Sequence, residues 1–149
     1  MESNYSLYAL PVHFFIALVP HAYAIRLAKS HNNNRWDNSN PRCSTWDSTL
    51  QKSLPAAIYA RYTRAESAHK NGLENFPLIA AAIFAGNLAK LDITLLNTAA
   101  LGYVLSRVLY TVLYINIDRV RYSYIRTATY GAGLFTCFYL LVKSANAMR

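Results

Sequence analysis

ITLLNTAALGYVLSRVLYTVLYINI, residues 93–117, runs for twenty-five residues with a single charge, Arg107. A bilayer core is crossed by about 20 mostly apolar residues in an α-helix. A helix that is apolar on every side is buried in a large core or in lipid. Three further runs lie around it, at residues 5–28 (YSLYALPVHFFIALVPHAYAIRLA), 73–89 and 124–142. Four such runs in 149 residues leave too little polar surface to cover them in water. The mean hydropathy is only +0.11, because the charges crowd between the runs and dilute them in the average. The pattern predicts an all-α integral membrane protein, a bundle of four transmembrane helices in a single domain spanning residues 1–149.

The connections follow from the same segregation. Only Lys90, Leu91 and Asp92 separate the second and third runs, which predicts a tight hairpin, and the charged segment NIDRVRYS joins the third to the fourth. Residues 29–55 form a polar loop rich in Asn and Ser, with helix resuming around Pro55 as a basic stem, AAIYARYTRAESAHKNGLE. Of 15 lysines and arginines, eleven fall on the side of the long loop, three on the opposite side (Lys90, Lys143 and Arg149), and one is Arg107. The excess of positive charge assigns the long loop to the cytosol and both termini to the lumen or exterior. The start carries Glu2 and no cation, so the first run reads as an anchor rather than a cleavable signal. Asn4, Tyr5 and Ser6 form a glycosylation sequon too close to the bilayer to be used. Cys43 and Cys137 are expected to stay unpaired.

An ionisable group among membrane-embedded residues must face a cavity or a partner. Helical spacing puts Arg107 on one face with Tyr103, Tyr110 and Tyr114, so phenols, or a pair with Glu74, are its expected partners. Glu66, Lys70 and Glu74 recur every four residues; Glu66 reads as an ordinary surface-helix charge. Glu74 precedes Phe76, Pro77 and an apolar run, which lowers its carboxylate to the membrane boundary and calls for a cation or an ammonium group. Tyr122, Arg126 and Tyr130 are again four apart, with the Thr127 hydroxyl beside the arginine. His69 has no second His or Cys at ligand spacing, so no metal site is expected. The pI near 9.7 suggests a polyanionic partner, but a nucleic-acid groove keeps its cations on a water-facing surface, whereas several of these enter the bilayer. Several cations, one carboxylate and many hydroxyls toward the cytosolic half suit a small, flexible polyanion carrying an amine.

Three motifs carry a family resemblance. AHKNGLENFPLIAAA, residues 68–82, resembles the helix-two pattern of the MAPEG family, the membrane-associated proteins of eicosanoid and glutathione metabolism: a basic residue, Asn, two residues, Glu, then an apolar run. SRVLYTVLYI, residues 106–115, resembles the Arg-Val pattern of helix three, with its later Tyr. Arg126, Thr127 and Tyr130 are similar to the Arg-Ser-x-x-Tyr that opens helix four in the prostaglandin synthase branch. The resemblance implies a homotrimer of four-helix protomers in the endoplasmic reticulum membrane, with glutathione as cosubstrate or cofactor held between subunits near the cytosolic side. It implies glutathione-binding roles for Arg26, His69, Lys70, Asn71, Glu74 and Tyr114. It implies catalytic roles for Arg126, Thr127, Tyr130 and Arg107. The chemistry agrees, since arginine and lysine hold carboxylates, Glu74 accepts an ammonium, and a guanidinium beside a hydroxyl lowers the pKa of a thiol.

Three functions compete on this reading. The first is a glutathione-dependent transferase or isomerase that activates the thiolate toward a lipophilic electrophile arriving through membrane lipid. The second is a glutathione-independent isomerase or cyclase using Arg107, Tyr114 and His69 as acid-base groups in the same cavity. The third is a non-catalytic, lipid-binding membrane scaffold, against which stands the cost of so many buried ionisable residues.

Overall fold

A computed structural model of the chain describes residues 3–41 and 43–149; the sequence readings that rest on Glu2 and on the loop cation Arg42 fall outside them. After a single 3-10 turn, Ser6–Tyr8, five α-helices follow: α1 (Ala9–His31), α2 (Ser44–Ser53), α3 (Ala56–Leu88), α4 (Ile93–Asn116) and α5 (Val120–Ala147). Contacts fix the directions of the four long ones. His13, Ala17 and His21 of α1 meet Gly72, His69 and Glu66 of α3 in descending order, so these two run antiparallel. Tyr110 and Asn116 of α4 meet Asn71 and Arg61 of α3, again antiparallel. Asn75 on α3 bonds Tyr130 on α5, while Gly86 lies near Ser144, so this pair is parallel. The result is an up-down-up-down bundle.

Local chemistry sets the ends. Asp92 caps α4 by accepting the Leu95 N–H at 2.9 Å. Lys90 adopts a left-handed φ of 52°, and the Leu91 N–H closes back on the Gly86 carbonyl at 3.0 Å, which completes the tight turn between α3 and α4. Cys43 caps α2 through Sγ, which accepts the Trp46 N–H. Both cysteines are free. Asn4 is tied down, its amide nitrogen donating to Asn87 Oδ1 at 2.6 Å and its oxygen accepting from Ser6.

Three helical segments are long and apolar enough to cross a membrane: Ser6–His31, Ile93–Asn116 and Val120–Ala147. The expected fourth crossing, residues 73–89, falls on the C-terminal half of α3 and its C-cap Ala89; α3 has the length but not the apolarity, because Glu74, Asn75 and Asn87 interrupt its aliphatic run. At 33 residues α3 is about 50 Å long, well beyond a hydrocarbon core of about 30 Å. The loop expected over residues 29–55 contains a helix, α2, that its polar composition concealed. The last crossing is also longer than residues 124–142 at both ends, since Arg121 in the first turn and the polar SANA tail continue the helix.

The core is layered. At one end Ile79, Ile83, Leu96, Ala100, Tyr103 and Leu140 pack together. At the other, Ala24, Ala28, Tyr62, Ala65 and Ile115 pack under Leu50 and Leu54 of α2 and its C-terminal junction. Polar His13, His69, Asn75 and Arg107 are buried in the bundle. Large apolar side chains instead face outward, among them Phe15, Val19, Leu105, Val112, Phe135 and Val142. A bundle with apolar groups outside and polar groups inside is matched to lipid rather than to water.

The α1–α3 contact depends on small residues. Ala9, Ala17, Ala24 and Ala28 are buried along α1, and a Cβ added at Gly72 would lie 2.7 Å from Ala17 Cβ and 3.2 Å from its Cα. Gly72→Leu is expected to lower stability by about 2 kcal/mol through overpacking, read as an earlier thermal unfolding transition in detergent. An unchanged transition would mean that the two backbones do not approach this closely.

Candidate functional site

One cleft, of about 240 Å³, is lined by Asn71 from α3, Tyr110 and Tyr114 from α4, and Arg126, Thr127 and Tyr130 from α5. The spacing explains the convergence. Tyr110 and Tyr114 are one turn apart on α4, and Arg126 and Tyr130 are one turn apart on α5, so two antiparallel helices each offer a one-turn polar face to the same gap. The Arg126 guanidinium lies over the Tyr114 ring, 4.1 Å from its centroid. That stacking holds the cation on one side and leaves its in-plane N–H donors for a ligand. Asn71 Nδ2 donates to the Tyr110 hydroxyl at 2.7 Å, and Asn75 Nδ2 donates to the Asn71 carbonyl at 2.7 Å and to the Tyr130 hydroxyl at 3.2 Å. The polar wall is therefore a connected network rather than a set of independent side chains.

Arg107 stands behind this wall and does not line the cleft. It is 3% exposed, and its Nη2 donates to the carbonyls of Tyr130 at 2.8 Å and Thr129 at 3.4 Å. The guanidinium carbon lies 5.1 Å from the ring centroids of Tyr103 and Tyr130 and 5.4 Å from that of Tyr110. Its partners are thus two helix carbonyls, the Ser106 hydroxyl at 3.5 Å from Nε and three ring faces, in place of the phenol hydroxyls or Glu74 that spacing suggested. Gly133 makes room for it, since a Cβ there would fall on the guanidinium.

The remaining candidates are dispersed. His69 is buried between α1 and α3, with Nδ1 on the Ala17 carbonyl at 2.8 Å and its ring stacked on His21. Glu66, read from spacing as a surface charge, pairs with His21 at 2.7 Å across the same interface. Lys70 opens into a different cleft, of about 340 Å³, with Cys43, Asp47, Tyr62 and Glu66. In that stem, burial together with the Glu66 and Asp47 carboxylates pushes the Tyr62 phenol well above its ordinary range. Glu74 is exposed on α3 and forms no ion pair with another described residue, and Arg26 is exposed on α1.

Two contributors escaped the sequence candidates. Tyr110 lines the cleft, and Asn75 supports it from one turn beyond Asn71. A signal for each existed in the four-residue spacing to a chosen neighbour, Tyr114 and Asn71. Chemically, a stacked guanidinium, a carboxamide, a hydroxyl and phenols in a half-buried gap can bind an anion and lower the pKa of a thiol placed against the cation. The sequence pattern of the MAPEG family matches residues 6–146, nearly the whole chain. No curated protein and no solved structure gives a match.

Proposed function

The chain belongs to the MAPEG family, and on that premise we propose that it is a membrane-embedded, glutathione-dependent transferase or isomerase acting on a lipophilic electrophile. The observation that carries the reading is the Arg126 guanidinium stacked on Tyr114 in a cleft shared with Asn71, Thr127 and Tyr130. A guanidinium held half out of water stabilises a thiolate more than one in bulk solvent does, because the local dielectric is lower. The glutathione thiol loses its proton to solvent at Arg126, with the Thr127 hydroxyl donating to the sulfur. The thiolate then forms a C–S bond to the electrophilic carbon as that carbon's bond to a leaving group, or the π bond of an activated alkene, breaks and carries off the electron pair, which is protonated from solvent. Either the conjugate leaves or the adduct reverses this addition in a rearranged form and releases glutathione. Asn71 serves the peptide amides, Tyr114 supports the cation, and Tyr130 closes the wall.

Arg26, Lys70 and Glu74 enter the same proposal as ligands for the tripeptide's charged ends, while His69, buried between α1 and α3, supports the helix pair behind them. Arg26, Lys70 and Glu74 are exposed in the single chain, which suits a homotrimer whose neighbouring subunit covers them. A fourth crossing by α3 is supported by its packing along α1, α4 and α5, which share its depth. The charge asymmetry supports a cytosolic long loop and luminal termini in the endoplasmic reticulum membrane.

The test is incubation of the detergent-solubilised chain with a panel of lipophilic electrophiles, with and without glutathione, measuring adduct and consumed electrophile separately. Adduct or isomerised product that requires glutathione is expected. Turnover of the same electrophile without any thiol would replace this reading by the glutathione-independent isomerase.

A further inference from the structure

The hairpin between α4 and α5 is Ile117, Asp118 and Arg119, and both helices it joins are long and apolar enough to cross a membrane. Such a short hairpin must surface at the bilayer boundary. There it helps to form a concavity of about 220 Å³, lined by Arg64 of α3, Asp118, Arg119, Val120, and Ser123 and Arg126 of α5. Three guanidiniums against one carboxylate leave an excess of two positive charges. Arg64, Arg119 and Arg126 have no ion-pair partner among the described residues, Asp118 included. Arg64 is fixed in place, its Nε donating to the Ile115 carbonyl at 3.1 Å. Arg119 is the N-cap of α5 and makes no side-chain cap bond, so the positive end of the helix adjoins the same hollow. Convergence of like charges around a concave surface is unfavourable until an anion occupies it.

The surroundings identify the anion's source. Val120, Tyr122, Tyr124 and Ile125 are exposed on the first two turns of α5, beside the arginines. An apolar and aromatic collar next to a basic hollow at the membrane boundary is matched to an amphiphile, with acyl chains along the collar and head group in the hollow. We infer that the Arg64–Arg119–Arg126 hollow binds the phosphate head group of an anionic phospholipid. It adjoins the cleft described above through Arg126, which lines both. A bound phosphate there draws on the guanidinium assigned to the thiolate, and lipid composition thereby tunes the neighbouring cleft.

The experiment is native mass spectrometry of the detergent-purified full chain, titrated separately with phosphatidylserine, phosphatidylcholine and glycerophosphoserine, the last being the same head group without acyl chains. Phosphatidylserine is expected to bind in preference to phosphatidylcholine. Arg119→Gln is expected to weaken it about fivefold, and Arg64→Gln with Arg119→Gln about 25-fold, at about one interfacial charge each. Arg119→Lys should retain most of the affinity. Arg119 makes no side-chain cap bond, so its variants test the hollow even where loss of the Arg64 tether loosens the α3–α4 contact. Equal binding of the two phospholipids, or phosphatidylserine binding indifferent to Arg119→Gln, would overturn the inference. Glycerophosphoserine binding as tight as phosphatidylserine would also overturn it, by making the hollow a site for free anions. No glutathione is present in these titrations, and neither substituted arginine is assigned to it, so failure here is distinguishable from failure of the enzymatic reading.

Discussion

Gly133→Ala is expected to destabilise the chain by about 3–5 kcal/mol, the range for stripping a buried charge of its partners. An alanine is ordinarily favoured over glycine inside a helix by about 1 kcal/mol, so the sign of the effect is diagnostic. The added Cβ would fall on the Arg107 guanidinium, whose carbon and Nε would also lie within 3 Å of it. The far end of an arginine is usually free to move aside. Here it is 3% exposed and enclosed by the rings of Tyr103, Tyr110 and Tyr130. Moving it gives up the bonds to the carbonyls of Thr129 and Tyr130. In an Arg107→Leu background the same Gly133→Ala change should cost little, so a double-mutant cycle read by thermal unfolding in detergent should show strong coupling. Additive effects would mean that the two residues do not share this space.

Arg126→Ala is expected to lower kcat of the glutathione reaction by about 10²–10³-fold, the effect of removing one preorganised group that stabilises a developing or resident anion. Arg126→Lys should recover only part of it, because an ammonium lacks the planar face that stacks on Tyr114 at 4.1 Å and the fork that addresses a ligand. Steady-state kinetics on the variants, with unfolding midpoints measured alongside, separates this from a folding defect. Arg126 is part-exposed and its cleft lies on the outside of the bundle, so the unfolding midpoint should stay near that of the unaltered chain. A kcat within threefold of the unaltered chain would remove Arg126 from the chemistry.

The fold was legible where apolarity was continuous. The run at residues 93–117 coincides with α4, Ile93–Asn116, because a long helix with one charge has no competing reading. Residues 5–28 likewise lie mostly in the first helical segment. α2 was not legible, since its Ser, Thr and Asp content is that of a turn region. Its docking comes from Leu50, Leu54 and the Trp36–Trp46 contact, which local sequence does not announce. The partners of the polar residues on α3 were equally hidden, because Asn71 and Asn75 spend their polarity on side chains of other helices.

The site was legible by periodicity within each helix and illegible between helices. Spacing of four put Arg126 with Tyr130 correctly on one face, and the cleft contains both. It also put Arg107 beside Tyr114. The two do share a face and differ in depth: about two turns apart, Arg107 lies against Gly133 inside the bundle while Tyr114 meets Arg126 at the cleft. Gly133 was the available clue, since a glycine in a helix interior calls for a close approach by something large. Which large group approaches it is a tertiary fact.

Arg126 is assigned to hold a thiolate, and ultraviolet thiolate absorbance of glutathione bound to the purified chain, titrated against pH, tests that assignment directly. A free thiol of this type has a pKa of about 8.5. Thiolate signal persisting at least one pH unit below that value, and lost in Arg126→Ala while glutathione stays in excess, is the predicted result. Bound glutathione that titrates like the free thiol would contradict that role for Arg126.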